Sequence, residues 1–243
     1  MTVLLVALMS FAAERLARYV PFSYEQSITE RFADDEDAGH KPVRQRLQAL
    51  ADELSAVMDL PDDMTIHVHY VDEDTVNAFA TLGGHIVIYR GLLEATPTEN
   101  ALAMVVAHEI AHVKHRDPIV ALGRAVLIGT ALAVFTGVSG DDMAGRVLGD
   151  AGLLTSLHFS REQESEADHE ALSALAQRYG HVAGATFIFE KFLADENKSS
   201  YKMPALFGTH PTNRKRIEQI HRWGTENGWP DTGETTLLPD FSG

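Results

Sequence analysis

Apolar residues recur at helical spacing in three stretches of this chain and alternate in others, and that pattern predicts its elements. In residues 41–59, Val43, Leu47, Leu50, Leu54 and Val57 line one side of a helix, with Pro61 after it. Residues 65–71 alternate Ile66, Val68 and Tyr70 against His67 and His69, which is strand periodicity with both histidines on the outer face, in solvent. Asn77-Ala78-Phe79-Ala80 leads through Gly83-Gly84 into His85-Ile86-Val87-Ile88-Tyr89-Arg90, a hairpin in which His85 is an exposed strand residue. Leu102, Val105, Val106, Ile110 and Val113 predict a second helix. Thr96-Pro97-Thr98-Glu99 has the form of its capping box, with Pro97 at the first helical position, and Asp117-Pro118 ends it. A third helix opens at Ser160-Arg161 and runs through Leu172 and Leu175 to a terminal Gly180. The tail after Trp223 reads as an extended surface segment, packed near the cleft.

Two longer apolar runs raise the question of a membrane. Residues 2–13 are apolar and are followed by Glu14, Arg15 and Arg18. The run is short for a span of about 20 residues, and it lacks the basic start of a secretory signal. Residues 1–20 are therefore an anchor, a signal or a docking helix, and residues 21–243 form one domain. Residues 119–138 are long enough to span and carry a single charge, Arg124. A single crossing would put His112 and everything after residue 140 on opposite sides. A returning span would have to pass Asp141, Asp142, Arg146 and Asp150. If a downstream residue shares a site with His112, this segment is a buried helix or a surface resting on lipid or a partner.

Composition narrows the classes. With 243 residues, 45% of them hydrophobic, the chain can bury one sizeable core. A net charge of −15 with no basic block argues against a nucleic-acid partner. Cysteine is absent, which excludes thiol catalysis, disulfides and cysteine-ligated zinc. The acidic run Asp34-Asp35-Glu36-Asp37 is a solvated loop.

The chemistry concentrates at His108-Glu109-Ile110-Ala111-His112. Histidines four apart on a helix lie about 40° apart around it and about 6 Å along it, so both imidazoles reach one metal ion. The Glu109 carboxylate between them can address a water on that metal. His115 lies about 10 Å along the axis from His108 and cannot share the ion. No third histidine follows at the spacing of the longer zinc motif, so the third ligand comes from elsewhere. Ser160-Arg161-Glu162-Gln163-Glu164-Ser165-Glu166-Ala167-Asp168 offers three glutamates. Glu164 with Asp168, and Glu162 with Glu166, each share a helix face, and spacing alone does not choose between them.

Taken together, His108-Glu109-x-x-His112, Ser160-Arg161-x-x-Glu164-x-x-Ala167-Asp168 and Thr209-His210-Pro211 resemble the zinc metallopeptidase family that includes HtpX and the CAAX prenyl proteases. The likeness runs roughly from Asn77 to Ile217. It implies an α+β, mainly helical, zincin-like (gluzincin) domain with a small β-sheet whose edge strand borders the active-site helix. It further implies that His108, His112 and Glu164 hold one Zn²⁺, that Glu109 is the general base, and that Asp168 supports a ligating histidine. His210 would face the substrate carbonyl with Arg216 behind it, and Asn77, Ala78 and Phe79 would hold substrate backbone. His210 could also swing onto the metal and block the water position. The several membrane helices of the multi-span members are missing, so the chain is more similar to compact members of the bacterial cell envelope.

The function expected on this footing is a zinc-dependent metalloendopeptidase acting on extended or unfolded polypeptide in membrane or envelope protein quality control, with a membrane surface as a further partner. A strand ahead of the metal helix offers either a free edge for such a polypeptide or an ordinary covered hairpin. A chaperone-like binding module with little proteolysis is the alternative, although it has no use for Glu109. A metal-assisted hydrolase of non-peptide substrates fits edge-strand recognition less well.

Overall fold

The computed structural model describes residues 15–17, 19–29, 40–136, 158–195, 204–210 and 214–238. The apolar run 2–13, the acidic run 34–37, the interval with Asp141, Asp142, Arg146 and Asp150, and Pro211 lie outside the described residues. The described helices are α1 (Phe22–Thr29), α2 (Lys41–Val57), α3 (Arg90–Ala95), α4 (Glu99–Lys114), α5 (Asp117–Thr136), α6 (Arg161–Tyr179), α7 (Phe187–Asp195), α8 (Ala205–Thr209) and α9 (Arg214–Glu226). Three strands, β1 (His67–Val71), β2 (Ala78–Ala80) and β3 (His85–Tyr89), form one sheet in the order β1-β3-β2. β3 is parallel to β1 and antiparallel to β2, so the expected hairpin is present and β2 is a sheet edge. The fold is α+β and mainly helical.

α4 is the centre of the molecule. Every residue from Asn100 to Val113 is buried, which explains why its apolar stripe is so wide. It packs most extensively against α6, where Ala103, Ala107 and Ala111 meet Ala167, Ala171 and Ala174 in the same core and let the two backbones approach. Leu47, Leu50 and Leu54 of α2 and Ile86 and Ile88 of β3 fill the rest of that core. Gly84, at φ +84°, turns the chain into β3 with its Cα against the Thr65 carbonyl, where any Cβ would collide.

Three local readings change. The cap of α4 is Thr98, whose hydroxyl accepts from Ala101 N, and Pro97 lies before the helix. Thr96 instead closes α3, donating to the Leu92 carbonyl. The cause is non-local: the C-terminal tail pairs with this segment through Leu238 N to Pro97 O and Glu99 N to Thr236 O, holding residues 97 and 98 extended. The tail thus straps the start of α4 and does not border its histidine end. At that other end Asp117-Pro118 begins α5 after a reversal at Arg116 (φ +64°). Finally, His85 is half-buried and within 2.7 Å of His69 (Nδ1 to Nε2), while His67 is exposed. Burial and the two neighbouring histidines lower the His85 pKa to about 4.

α5 packs Ile119, Val120 and Leu122 against Ala17 and Leu82, so its first turns are buried. Among the described residues no helix is long and apolar enough to cross a membrane.

Candidate metal centre

α4 and α6 bring three imidazoles and a carboxylate to one point. His108 and His112 project from the C-terminal half of α4, Glu164 from the first turn of α6, and His210 from the end of α8. Ser160 caps α6 by accepting from Gln163 N, and the Gln163 side chain accepts from Ser160 N, so the first turn that carries Glu164 is fixed. All four side chains are buried and offer one ligand atom each within 4.8 Å of the others. His108 Nε2 lies 3.0 Å from His112 Nε2 and 3.2 Å from His210 Nδ1, and Glu164 Oε1 lies 2.9 Å from His210 Nδ1 and 3.5 Å from His112 Nε2. A tetrahedral zinc with Zn–N near 2.05 Å separates its ligand atoms by about 3.3 Å, so the donor set fits one such ion. Glu162 and Glu166 are exposed and outside the cluster, and His115 is turned away onto Glu170 at 2.6 Å.

The supports around the cluster fix which nitrogen faces inward. Asp117 Oδ2 is 2.8 Å from His112 Nδ1, and a carboxylate can only accept, so the Nδ1 proton points to Asp117 and leaves Nε2 for a metal. Gln163 Nε2 donates to the other Asp117 oxygen at 2.5 Å. Asp168 Oδ1 lies 3.0 Å from His108 Nδ1, close enough for an ion pair, although the alignment falls short of a hydrogen bond. Arg216 grips Asp168 with two bonds of 2.5 and 2.9 Å and approaches Glu164 Oε2 at 3.0 Å. It therefore ties the two carboxylates of α6 together, and it also contacts the His210 carbonyl at 3.4 Å. The ring of Phe159 stacks on His112 with centroids 4.1 Å apart.

These carboxylates set a strongly negative potential. Burial pulls the His108 pKa down, but Asp168 and Glu164 outweigh it and hold it at about 10. His112 is likewise raised, against burial, by Asp117 and Glu164. Burial pushes Glu164 up, yet His210, His108 and His112 hold it well below the usual carboxylate range. The raised imidazoles and the lowered carboxylate are two sides of the same contacts, each charge favouring its opposite.

Glu109 is fully buried, and its Oε2 accepts from Ala80 N of β2 at 2.8 Å. Its other oxygen has no hydrogen-bond partner and lies 3.5 Å from His210 Nε2, itself without one. The edge strand thus borders the metal helix, but it is not open. Asn77 is buried with its amide oxygen unsatisfied, and Ala78 and Phe79 are buried as well. The segment before His210 covers the edge, with Leu206 N donating to Val76 O.

Sequence reading alone missed Asp117, Gln163 and Phe159. Asp117 and Gln163 were legible only as the end and the start of helices, because their bond joins residues 46 apart. The blocking position expected as an option for His210 is the one the structure has, with Nδ1 turned into the ligand group.

The chain matches Peptidase family M48 over residues 42–224. It is 30% identical over 223 residues to the protease HtpX homolog of Acidiphilium cryptum, covering 75% of this chain and 76% of that one. It is 34% identical over 166 residues to the mitochondrial metalloendopeptidase OMA1 of Schizosaccharomyces pombe (66% of this chain, 47% of the relative). It is 36% identical over 164 residues to the beta-barrel assembly-enhancing protease of Yersinia pestis (62% of this chain, 33% of the relative). The chain therefore spans about half or less of the length of the latter two.

Proposed function

The chain belongs to peptidase family M48, and on that premise we propose that it is a zinc-dependent metalloendopeptidase that hydrolyses peptide bonds of polypeptide substrates. The observation that carries the reading is the buried convergence of His108, His112 and Glu164 beside a Glu109 oxygen that has no hydrogen-bond partner. His108, His112 and Glu164 would hold the zinc, with Asp117 and Asp168 orienting the two imidazoles. Zinc, when bound, supplies a Lewis acid that polarises a carbonyl and brings the pKa of water near neutrality. Glu109 Oε1 takes the proton of the attacking water and passes it to the leaving amine, while the Ala80 N–H keeps Oε2 in place.

His210 has two positions in this reading. With Nδ1 among the ligands it would take the place that water needs on a bound metal, and the same short segment, Pro204 to His210, lies over the edge of β2. Both obstacles sit on one stretch of seven residues, so one displacement would open the metal and the edge together. Its other nitrogen, Nε2, lies 3.5 Å from Glu109 Oε1, so His210 moved off the metal would be a donor beside Glu109 for a carbonyl oxygen. An extended segment of polypeptide would then lie along Asn77, Ala78 and Phe79.

The place of action we infer is the membrane or cell envelope, in protein quality control. It rests on the apolar α5, whose first turns are buried, and on relatives named for mitochondria and for β-barrel assembly. The test is cleavage of an unfolded protein such as casein by zinc-loaded protein. Glu109→Gln should keep its zinc and lose turnover by about 10²–10⁴-fold. A Glu109→Gln variant that cuts casein at the wild-type rate overturns the base, and a wild-type protein that holds casein uncut supports a binding module instead.

A further inference from the structure

Thirty-five acidic residues oppose 20 basic ones in this chain, and basic side chains near the metal cluster are mostly spent on carboxylates. Arg216 is committed to Asp168 and Glu164, Lys114 to Glu170, and Arg116 to Glu25. One cavity departs from this pattern. It has a volume of about 340 Å³ and is built on the far ends of the metal-site residues Glu164, Asp168 and Arg216. Arg161 and Lys215 stand on its walls, with the rings of Phe159 and Trp223. Glu162 and Glu166, the exposed acids of the same helix start, do not line it.

The charge of the cavity can be counted group by group. Its two carboxylates, Asp168 and Glu164, share one guanidinium, since Arg216 forks onto Asp168 and approaches Glu164 Oε2. Arg161 and Lys215 are exposed, and neither makes an ion pair among the described residues. The lining thus carries three cations, Arg161, Lys215 and Arg216, against two carboxylates, and the excess positive charge lies at the positive end of the 19-residue helix α6. The cavity also adjoins the reacting centre, since Phe159 stacks on His112. A second, tighter pocket shares Arg216 and sets Val105, Ile188, Phe189 and Leu206 beside His108, Glu109 and His210.

We propose that the larger cavity binds an acidic side chain, aspartate or glutamate, of the substrate polypeptide close to the scissile bond. Arg161 and Lys215 pair with its carboxylate, and Phe159 and Trp223 flank its methylenes. The proposal rests on the peptidase reading above, and the experiment separates the two. Zinc-loaded Glu109→Gln protein is titrated with fluorescent, C-terminally amidated peptides in which one glutamate, or glutamine in its place, is walked through a short neutral sequence. Amidation removes the terminal carboxylate as a competing ligand. At one position the glutamate peptide should bind about tenfold tighter than its glutamine twin, a ratio suited to two partly exposed ion pairs. In the R161Q/K215Q variant that ratio should fall below about twofold, and in R161E/K215E a lysine at the same position should be preferred. Absence of discrimination at every position, or discrimination that survives in R161Q/K215Q, overturns the proposal. Wild-type protein that leaves the glutamate peptide uncut while the binding ratio holds overturns the peptidase reading and leaves the cavity standing.

Discussion

Replacing Asp117 by asparagine tests the outer support of the metal centre, because the hydrogen bonds around it run in one direction only. Ser160 N donates to Gln163 Oε1, Gln163 Nε2 donates to Asp117 Oδ1, and His112 Nδ1 donates to Asp117 Oδ2. Both oxygens of Asp117 are therefore acceptors. Asparagine keeps the shape but offers one acceptor and one NH₂ group, so a donor must face either Gln163 or His112. Turning the Gln163 amide over would break the cap of α6. Asp117 and His112 are both fully buried, and water does not relieve the mismatch. A buried group left without its partner costs about 1–3 kcal/mol, and losing such a support typically weakens metal binding by about 10–100-fold. The assay is competition for zinc against a chromophoric chelator at neutral pH, with circular dichroism to verify the fold. Asp117→Asn should lose zinc affinity within that range. Adding Gln163→Ala removes one of the two donors, and the double variant should recover part of the loss, a coupling that a mutant cycle reads directly. A folded Asp117→Asn protein whose zinc affinity stays within about twofold of the wild type would refute the reasoning.

Further variants probe the other groups. Glu164→Ala should lose zinc by at least about 100-fold in the same competition, whereas Glu162→Ala and Glu166→Ala, both exposed, should stay within about twofold; a reversed order would move the ligand. His210→Ala should retain zinc, since three ligands remain, and X-ray absorption should report one imidazole fewer than in the wild type; an unchanged count would remove His210 from the coordination sphere. Glu170→Gln addresses stability. Burial raises the Glu170 carboxyl, but His115 and Lys114 outweigh it and hold its pKa below the ordinary value. A depressed folded pKa gives stability that is present above the unfolded value of about 4.3 and lost as pH falls through the folded one. The variant should thus be less stable than wild type by about 0.5–1 kcal/mol in urea at pH 7, with the gap closing below about pH 4. A gap that persists in acid would assign the loss to packing.

Local signals carried much of the fold. The apolar periodicity of α2 and α4, the alternation in β1 and β3, and the glycine at the end of α6 each depend on neighbours within a few residues, so they could be read from the chain itself. The helical pair His108 and His112 belongs to the same class. Spacing left three glutamates open, and what separates them is burial: Glu164 faces α4 and the other two face solvent. What escaped was everything made by distant partners. The tail that moves the cap from Thr96 to Thr98 lies more than 130 residues away, as the Thr236 N to Asn100 contact illustrates (|i−j| of 136). The cover over β2 likewise comes from Leu206, and the His69–His85 contact from the parallel pairing of β1 with β3. None of these leaves a trace in periodicity.

The same long-range contacts constrain how the chain can meet a membrane. α5 starts at Asp117, directly after the metal helix, and its sequence is strongly apolar, although it does not reach what a span requires. Yet Asp117 is held at 2.8 Å to His112 on one side and at 2.5 Å to Gln163 on the other, and Gln163 opens the helix that delivers Glu164. Both ends of the intervening chain are therefore pinned to one buried carboxylate. A single crossing between residues 117 and 163 would separate these ends by the roughly 30 Å hydrocarbon core. That would break the contact and strip the cluster of Glu164. Only an excursion that returns to its starting side keeps the site together. Any lipid contact this segment makes is therefore tied to the metal centre through Asp117, and a shift of α5 would be felt first at His112.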